Sequence, residues 1–397
     1  MTRFVTAIGI GLILAPTAVI AGGEIYGTIY TTQNEEFTGA IRWDRNENYW
    51  DDVLDADKRD KVYHEGRRRR TFKFFGIVFG GDNHGWTTSQ FKIQFGHIEA
   101  IEPRRGNNVR IELKSGERIS VRSDGTDLGD GMRGIWVFDD AYDEEIELDW
   151  DDVDRVEFRQ GPKPGLDDKR LYGTVETSGG DFTGFIVWDK DEAVVSDILN
   201  GEDRGRTRKI KFGKIRSIER RGSSASMVTL KDGRTMKLSG TNDVDEDNRG
   251  IDITVIGLGL IKVEWRDFDM VTFSDPPASR EYADFDGGRR LYGTLEDDSG
   301  EKYTGKITWD MDEAFTWEFL DGDFDDISYV IPFSNIKRIE RNSRRSATVT
   351  LLNGQEIVLS GSNDVDRDNK GILVELESGG EMEFDWNDFD SVEFHKP

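Results

Sequence analysis

The run Phe182-Thr183-Gly184-Phe185-Ile186-Val187-Trp188-Asp189 occurs in related form three times in this 397-residue chain, spanning Phe37 to Asp44, Phe182 to Asp189 and Tyr303 to Asp310. Its shared pattern is aromatic-Thr-Gly-x-Ile-x-Trp-Asp. Ile and Trp stand two residues apart, so in a strand they share a face. Outward from this run the likeness continues. Each copy is preceded by Tyr-Gly-Thr, at Tyr26, Tyr172 and Tyr292. Each copy closes on Trp-x-Asp-[Val/Phe]-Asp-x-Val-x-Phe, at Trp150 to Phe158, Trp265 to Phe273 and Trp386 to Phe394. Self-similarity on this scale marks a repeat architecture. The copies span 24–158, 170–273 and 290–397, and the first carries an insertion of about residues 57–89. Residues 159–169 and 274–289 contain four of the eight prolines and read as linkers between units arranged in a row.

The local patterns are those of strands. Val228 and Leu230, then Met236 and Leu238, alternate around Asp232-Gly233; Val349, Leu351, Ile357 and Leu359 do the same around Asn353-Gly354. Asx-Gly between alternating runs is a hairpin signal, because a type I′ turn needs positive φ. Each copy also contains a finer duplication. Phe212, Ile215 and Ile218 share the spacing of Trp265, Phe268 and Val271; Phe95/Ile98/Ile101 matches Trp150/Val153/Val156, and Phe333/Ile336/Ile339 matches Trp386/Phe389/Val392. A strand, a one-turn 3-10 segment and a second strand would put all three residues on one side. The expectation is an all-β chain of three tandem repeats, each of two half-units that are small barrels or strongly bent sheets. The order of elements in a half-unit resembles the small Sm-like and SH3-like barrels. That resemblance is to the fold alone and implies no binding residue.

Composition narrows the function classes. The formal charge is −26, which opposes nucleic-acid binding because phosphate contacts need clustered Lys and Arg. There is no cysteine, so disulfides, thiolate metal sites and cysteine nucleophiles are excluded. Residues 1–21 read as a cleaved signal peptide: Arg3, an apolar run from Phe4 to Pro16, then Val19 and Ala21 before Gly22-Gly23. The expected location is periplasmic or extracellular, with no membrane span after cleavage.

Three features are candidates for chemistry. Loops in the second and third copies place carboxylates at alternate positions, Asp243, Asp245 and Asp247, and Asp364, Asp366 and Asp368. Such a pattern can fold around calcium, which takes six to eight oxygens. It departs from the EF-hand loop, with Asn at the sixth position and Thr254 or Glu375 at the twelfth; the competing expectation is a set of Asx-turns. In the first copy Gly129 and Gly131 replace aspartates, so no site is expected there. The Trp-Asp pairs (Trp43-Asp44, Trp188-Asp189, Trp309-Asp310) would suit sugar stacking if exposed, yet their phase with Ile41, Ile186 and Ile307 predicts core tryptophans whose indole N–H needs an acceptor. The insertion carries Arg67-Arg68-Arg69-Arg70, His64, His84 and several aromatics, a basic tip facing an acidic protein.

No histidine recurs at an equivalent position, and no nucleophile-elbow, zinc-protease or phosphate-loop motif is present. The expected role is a non-enzymatic binding or structural protein of the bacterial envelope or exterior, with an envelope protein or glycan as partner. The alternatives are a calcium-dependent or glycan-binding module and a carboxylate-based hydrolase. N-terminal sequencing of the protein from its native host should read Gly22 or a near neighbour as the first residue. A mature chain starting at Met1 or Thr2 would refute the signal-peptide assignment.

Overall fold

The computed structural model describes residues 23–44, 46–62, 72–74, 77–79, 85–105, 107–122, 127–161 and 169–395. The expected signal peptide, the arginine run and both histidines of the insertion, and most of the first linker lie outside them. The described chain is all-β, and its helical segments are single 3-10 turns. No helix among the described residues is long and apolar enough to cross a membrane.

Three segments of chain build the same antiparallel strand order. Segment one contains β1 (Tyr26–Thr31), β2 (Glu36–Trp43), β3 (Val53–Val62), β4 (Phe72–Phe74), β5 (Ile77–Phe79), β6 (Gly85–Gln94), β7 (Ile98–Arg104), β8 (Asn108–Leu113), β9 (Arg118–Arg122), β10 (Ile135–Asp139), β11 (Glu144–Leu148) and β12 (Val153–Phe158). Segment two contains β13 (Tyr172–Thr177), β14 (Gly180–Val187), β15 (Ile198–Asp203), β16 (Arg206–Lys211), β17 (Ile215–Arg220), β18 (Ala225–Leu230), β19 (Thr235–Ser239), β20 (Ile251–Val255), β21 (Gly259–Val263) and β22 (Phe268–Phe273). Segment three contains β23 (Tyr292–Asp297), β24 (Lys302–Thr308), β25 (Phe319–Phe324), β26 (Ile327–Pro332), β27 (Ile336–Arg341), β28 (Ser346–Leu351), β29 (Glu356–Ser360), β30 (Ile372–Leu376), β31 (Glu381–Phe384) and β32 (Phe389–Phe394). In segment two the spatial order is β16-β15-β19-β18-β17-β22-β13-β14-β20-β21. Segment one repeats it as β6-β3-β9-β8-β7-β12-β1-β2-β10-β11, and segment three from β26 to β31.

This order shows how the halves of a segment are joined. Each half runs hairpin, hairpin, short turn, strand: β13 to β17, then β18 to β22. The first hairpin of one half does not pair with its own second hairpin. Instead β13 and β14 pair with β22 and β20, and β19 pairs with β15. The two halves thus exchange their last three strands, and each core is filled from both. The expected half-units therefore do not form separate barrels.

The recurrent glycines sit where exchanged strands cross. A Cβ on Gly173 would come within 2.3 Å of the Thr272 carbonyl oxygen on β22, and one on Gly184 within 2.4 Å of the Thr254 oxygen on β20. Gly27 and Gly39 in segment one, and Gly293 and Gly305 in segment three, meet the equivalent carbonyls just as closely. The Tyr-Gly-Thr and Thr-Gly motifs are thus requirements of close backbone approach.

The segments do not lie in a row. β21 pairs edge to edge with β26, so segments two and three form one 20-stranded sheet over one continuous apolar core. Segment one meets both of the others. Its Asp51 and Asp52 accept from buried Arg170 at 2.6 and 3.0 Å, and its Lys92 donates to Asp321 at 2.8 Å. The stretch expected as a second linker is docked: the Tyr282 ring lies 4.5 Å from that of Trp50, and its hydroxyl donates to the Ile98 carbonyl.

Gly184→Val should lower unfolding stability by about 3 kcal/mol, the scale of a badly overpacked core position. Denaturant unfolding measures this. A change within about 0.5 kcal/mol, the range of a neutral surface substitution, would contradict the close-crossing account.

Candidate carboxylate site

The site grows from the end of the founding motif. Trp188, Trp309 and Trp43 are fully buried. Each indole Nε1 donates to a backbone carbonyl in the acidic loop of the other half: Trp188 to Asp243 (2.9 Å), Trp309 to Asp364 (2.9 Å) and Trp43 to Asp127 (2.7 Å). The acceptor expected for a core tryptophan is therefore the acidic loop itself. Buried rings with their N–H engaged leave no stacking face for a sugar.

After each Trp the chain turns back within five residues. The Trp188 and Glu192 backbones bond to each other, and Asp189 and Lys190 take positive φ of 51° and 55°. Asp tolerates that left-handed geometry better than most residues. The turn points Asp189 inward, where it is fully buried. Its carboxylate accepts from the Arg249 backbone N–H (2.6 Å), from the Arg249 guanidinium (2.9 Å) and from Asn242 Nδ2. Asp310 is held likewise by Lys370 and Asn363, and Asp44 by Arg133. Buried charge is tolerated only with such partners.

The turn and the loop together assemble a carboxylate triad. Asp189, Glu192 and Asp243 place ligand-capable oxygens all within 4.8 Å of one another, as do Asp310, Glu313 and Asp364. Asp243 also accepts from the Asn200 backbone N–H at 2.5 Å, and Asp364 from that of Asp321 at 2.7 Å. In segment one, Asp44, Glu47 and Asp127 occupy the corresponding positions and are buried, but among the described residues only segments two and three bring their three carboxylates this close.

The electrostatics centre on the glutamates. Burial, then the neighbouring aspartates, pushes Glu192 up to about 9; the same causes hold Glu47 and Glu313 well above the ordinary carboxylate range. In all three the Oε2 atom is buried without a hydrogen-bond partner. Burial also raises Asp364 to about 8, Asp310 to about 6, and Asp243 above its usual value. Each triad therefore carries fewer negative charges at neutral pH than its three carboxyls suggest.

Of the six aspartates expected to ligate a cation, the structure brings only Asp243 and Asp364 into these triads. Asp245 accepts from the Asp247 backbone N–H at 3.2 Å, and Asp366 from that of Asp368 at 2.8 Å; these four build Asx-turns in which Asp247 and Asp368 face solvent. The sequence reading missed Glu47, Glu192 and Glu313. The signal was present as Trp-Asp-x-x-Glu, which recurs at Trp43, Trp188 and Trp309. A cleft of about 400 Å³ between segments one and two is lined by Arg42, Trp136 and Glu145 on one side and Asp191, Glu192 and Asp197 on the other.

No protein-family model, curated protein or solved structure matches the chain.

Glu192, Asp364 and Asp310 bind protons in the folded chain at pH values where the unfolded chain has released them. Their contribution is fully present below about pH 4, and is lost as pH rises through about 6, 8 and 9. The melting temperature should therefore fall between pH 6 and 9. Glu192→Gln with Glu313→Gln, which keeps shape and removes the Glu192 ionisation together with that of Glu313, also raised by burial, should flatten that slope and melt higher than wild type at pH 9. An unchanged slope would overturn the proton-holding account.

Proposed function

We propose that the chain is a non-enzymatic structural or binding protein of the bacterial envelope or exterior, delivered there by the N-terminal signal peptide. It is built from three repeats, each a strand-exchanged pair of SH3-like barrels. In each pair the order β22-β13-β14-β20-β21, with the turn before β22, is that of a small SH3-like barrel, and β17-β18-β19-β15-β16 is a second. The observation that carries the reading is the threefold recurrence of the polar constellation. Catalysis needs a singular arrangement open to substrate; here the same Trp, Asp and Glu recur in every segment, with the Trp and Asp buried and bonded to the chain's own loops. Raised glutamates in segments one and three, as in segment two beside the cleft, mark them as part of the fold.

A second reading, a bound divalent cation, is favoured by the convergence of three carboxylates with one free oxygen. Calcium would supply the neutralisation that the proton otherwise provides.

One variant separates these readings. In a strain lacking the protein, the full chain with Glu192→Gln and Glu313→Gln should restore envelope integrity as well as wild type does, and calcium titration should give no heat with either chain. Failure to rescue by a folded variant would favour the hydrolase built on paired carboxylates. Calcium heat with wild type that the variant lacks would favour the cation reading.

A further inference from the structure

The 20-stranded sheet ends in two free edges of opposite charge. At one end lies β16, Arg206-Thr207-Arg208-Lys209-Ile210-Lys211, whose one strand partner among the described residues is β15. At the other lies β31, Glu381-Met382-Glu383-Phe384, whose one strand partner among the described residues is β30. Arg206, Thr207, Lys209 and Lys211 are exposed, as are Glu381, Met382 and Glu383.

These edges correspond to a pair of strands already joined inside the molecule. β31 occupies in segment three the place of β21 in segment two, and β16 occupies in segment two the place of β26 in segment three. β21 and β26 pair antiparallel, Leu260 with Val330, Ile261 with Tyr329 and Lys262 with Ser328. Their hairpin registers carry this pairing across to the free edges. Ile251 opposite Val263 matches Ile372 opposite Phe384, and Phe319 opposite Pro332 matches Ile198 opposite Lys211. The equivalent register sets Glu381 opposite Lys209, Met382 opposite Arg208 and Glu383 opposite Thr207. Glu381 then also lies diagonal to Lys211, and Glu383 diagonal to Lys209, within reach of long side chains on one face.

We infer that β31 of one molecule adds to β16 of a second copy of this chain, continuing the sheet head to tail. Unpaired N–H and C=O groups on both edges supply the ladder. The opposite charges select this pairing over β16 with β16 or β31 with β31, where like charges would face each other. The joined surfaces differ, so the contact is heterologous and each added copy exposes a fresh edge of each kind. Charged edge strands also serve simply to prevent aggregation. That role is indifferent to which sign lies on which edge, and this difference makes the inference testable independently of the function proposed above.

The test uses the full chain in sedimentation velocity over a concentration series. At low salt the weight-average mass should climb above the 45.2 kDa of one chain, and it should fall back at about 0.5 M salt, where surface charges are screened within about 5 Å. Glu381→Lys with Glu383→Lys should be monomeric alone, as should Lys209→Glu with Lys211→Glu. Mixed in equal amounts, the two variants present complementary edges again and should associate. Wild type that stays at one chain mass across the series would overturn the inference. So would single variants that associate like wild type, or a mixture that stays monomeric.

Discussion

The hydrogen bond from a buried tryptophan to the backbone of the acidic loop is the contact on which the rest of each segment depends. Trp188 belongs to the first half of its segment and the Asp243 carbonyl to the second. The bond closes the seam between exchanged strands. Burying a ring of that size contributes on the order of 5 kcal/mol, but only if the indole N–H finds an acceptor, and the loop provides it. The ring then packs against Trp265 and Phe268 from the last exchanged strand and its turn, at centroid distances of 6.2 and 5.2 Å. The counterparts in segment three, Trp386 and Phe389 around Trp309, repeat this geometry within about 0.1 Å.

Once the loop is drawn in by its carbonyl, its aspartate side chain has to be accommodated. That places a third carboxyl beside the two supplied by the turn after Trp. Arg249, Lys370 and Arg133 offset part of the charge, and the raised glutamates hold protons against the rest. The acidic loops and the Trp-Asp-x-x-Glu turns thus form one device: packing dictates where the backbone goes, and ionisation follows.

The contacts between segments follow a different rule. Segments two and three join through backbone, edge to edge, with apolar side chains on both faces of the seam. Segment one joins through side chains. Arg170 is held by Asp51 and Asp52 and stacked between Tyr49 and Phe185 at 4.2 and 4.1 Å. Burial leaves Asp52 raised to about 6 even beside that guanidinium. A buried ion pair contributes little net stability but penalises misplacement heavily, so it suits an interface that must dock in one way.

The sequence alone determined what depends on neighbours along the chain. Alternation around Asp232-Gly233 and Asn353-Gly354 marked hairpins, since turn geometry and strand period are local. The phase of Ile186 with Trp188 placed the tryptophan in the core, and comparison of the chain with itself marked three like segments and a duplication within each. The tertiary structure decided what depends on partners distant in sequence. That β14 pairs with β20 rather than β15 leaves no local trace beyond a glycine whose purpose is invisible until the Thr254 carbonyl faces it. Alternating aspartates looked equivalent in sequence, yet Asp243 turned inward and Asp247 outward, because only Asp243 shares its residue with the carbonyl that Trp188 binds. The docking of Tyr282 onto Trp50 turned a proline-bearing connection into part of a core, since composition records how a stretch of chain bends and not what it lies against.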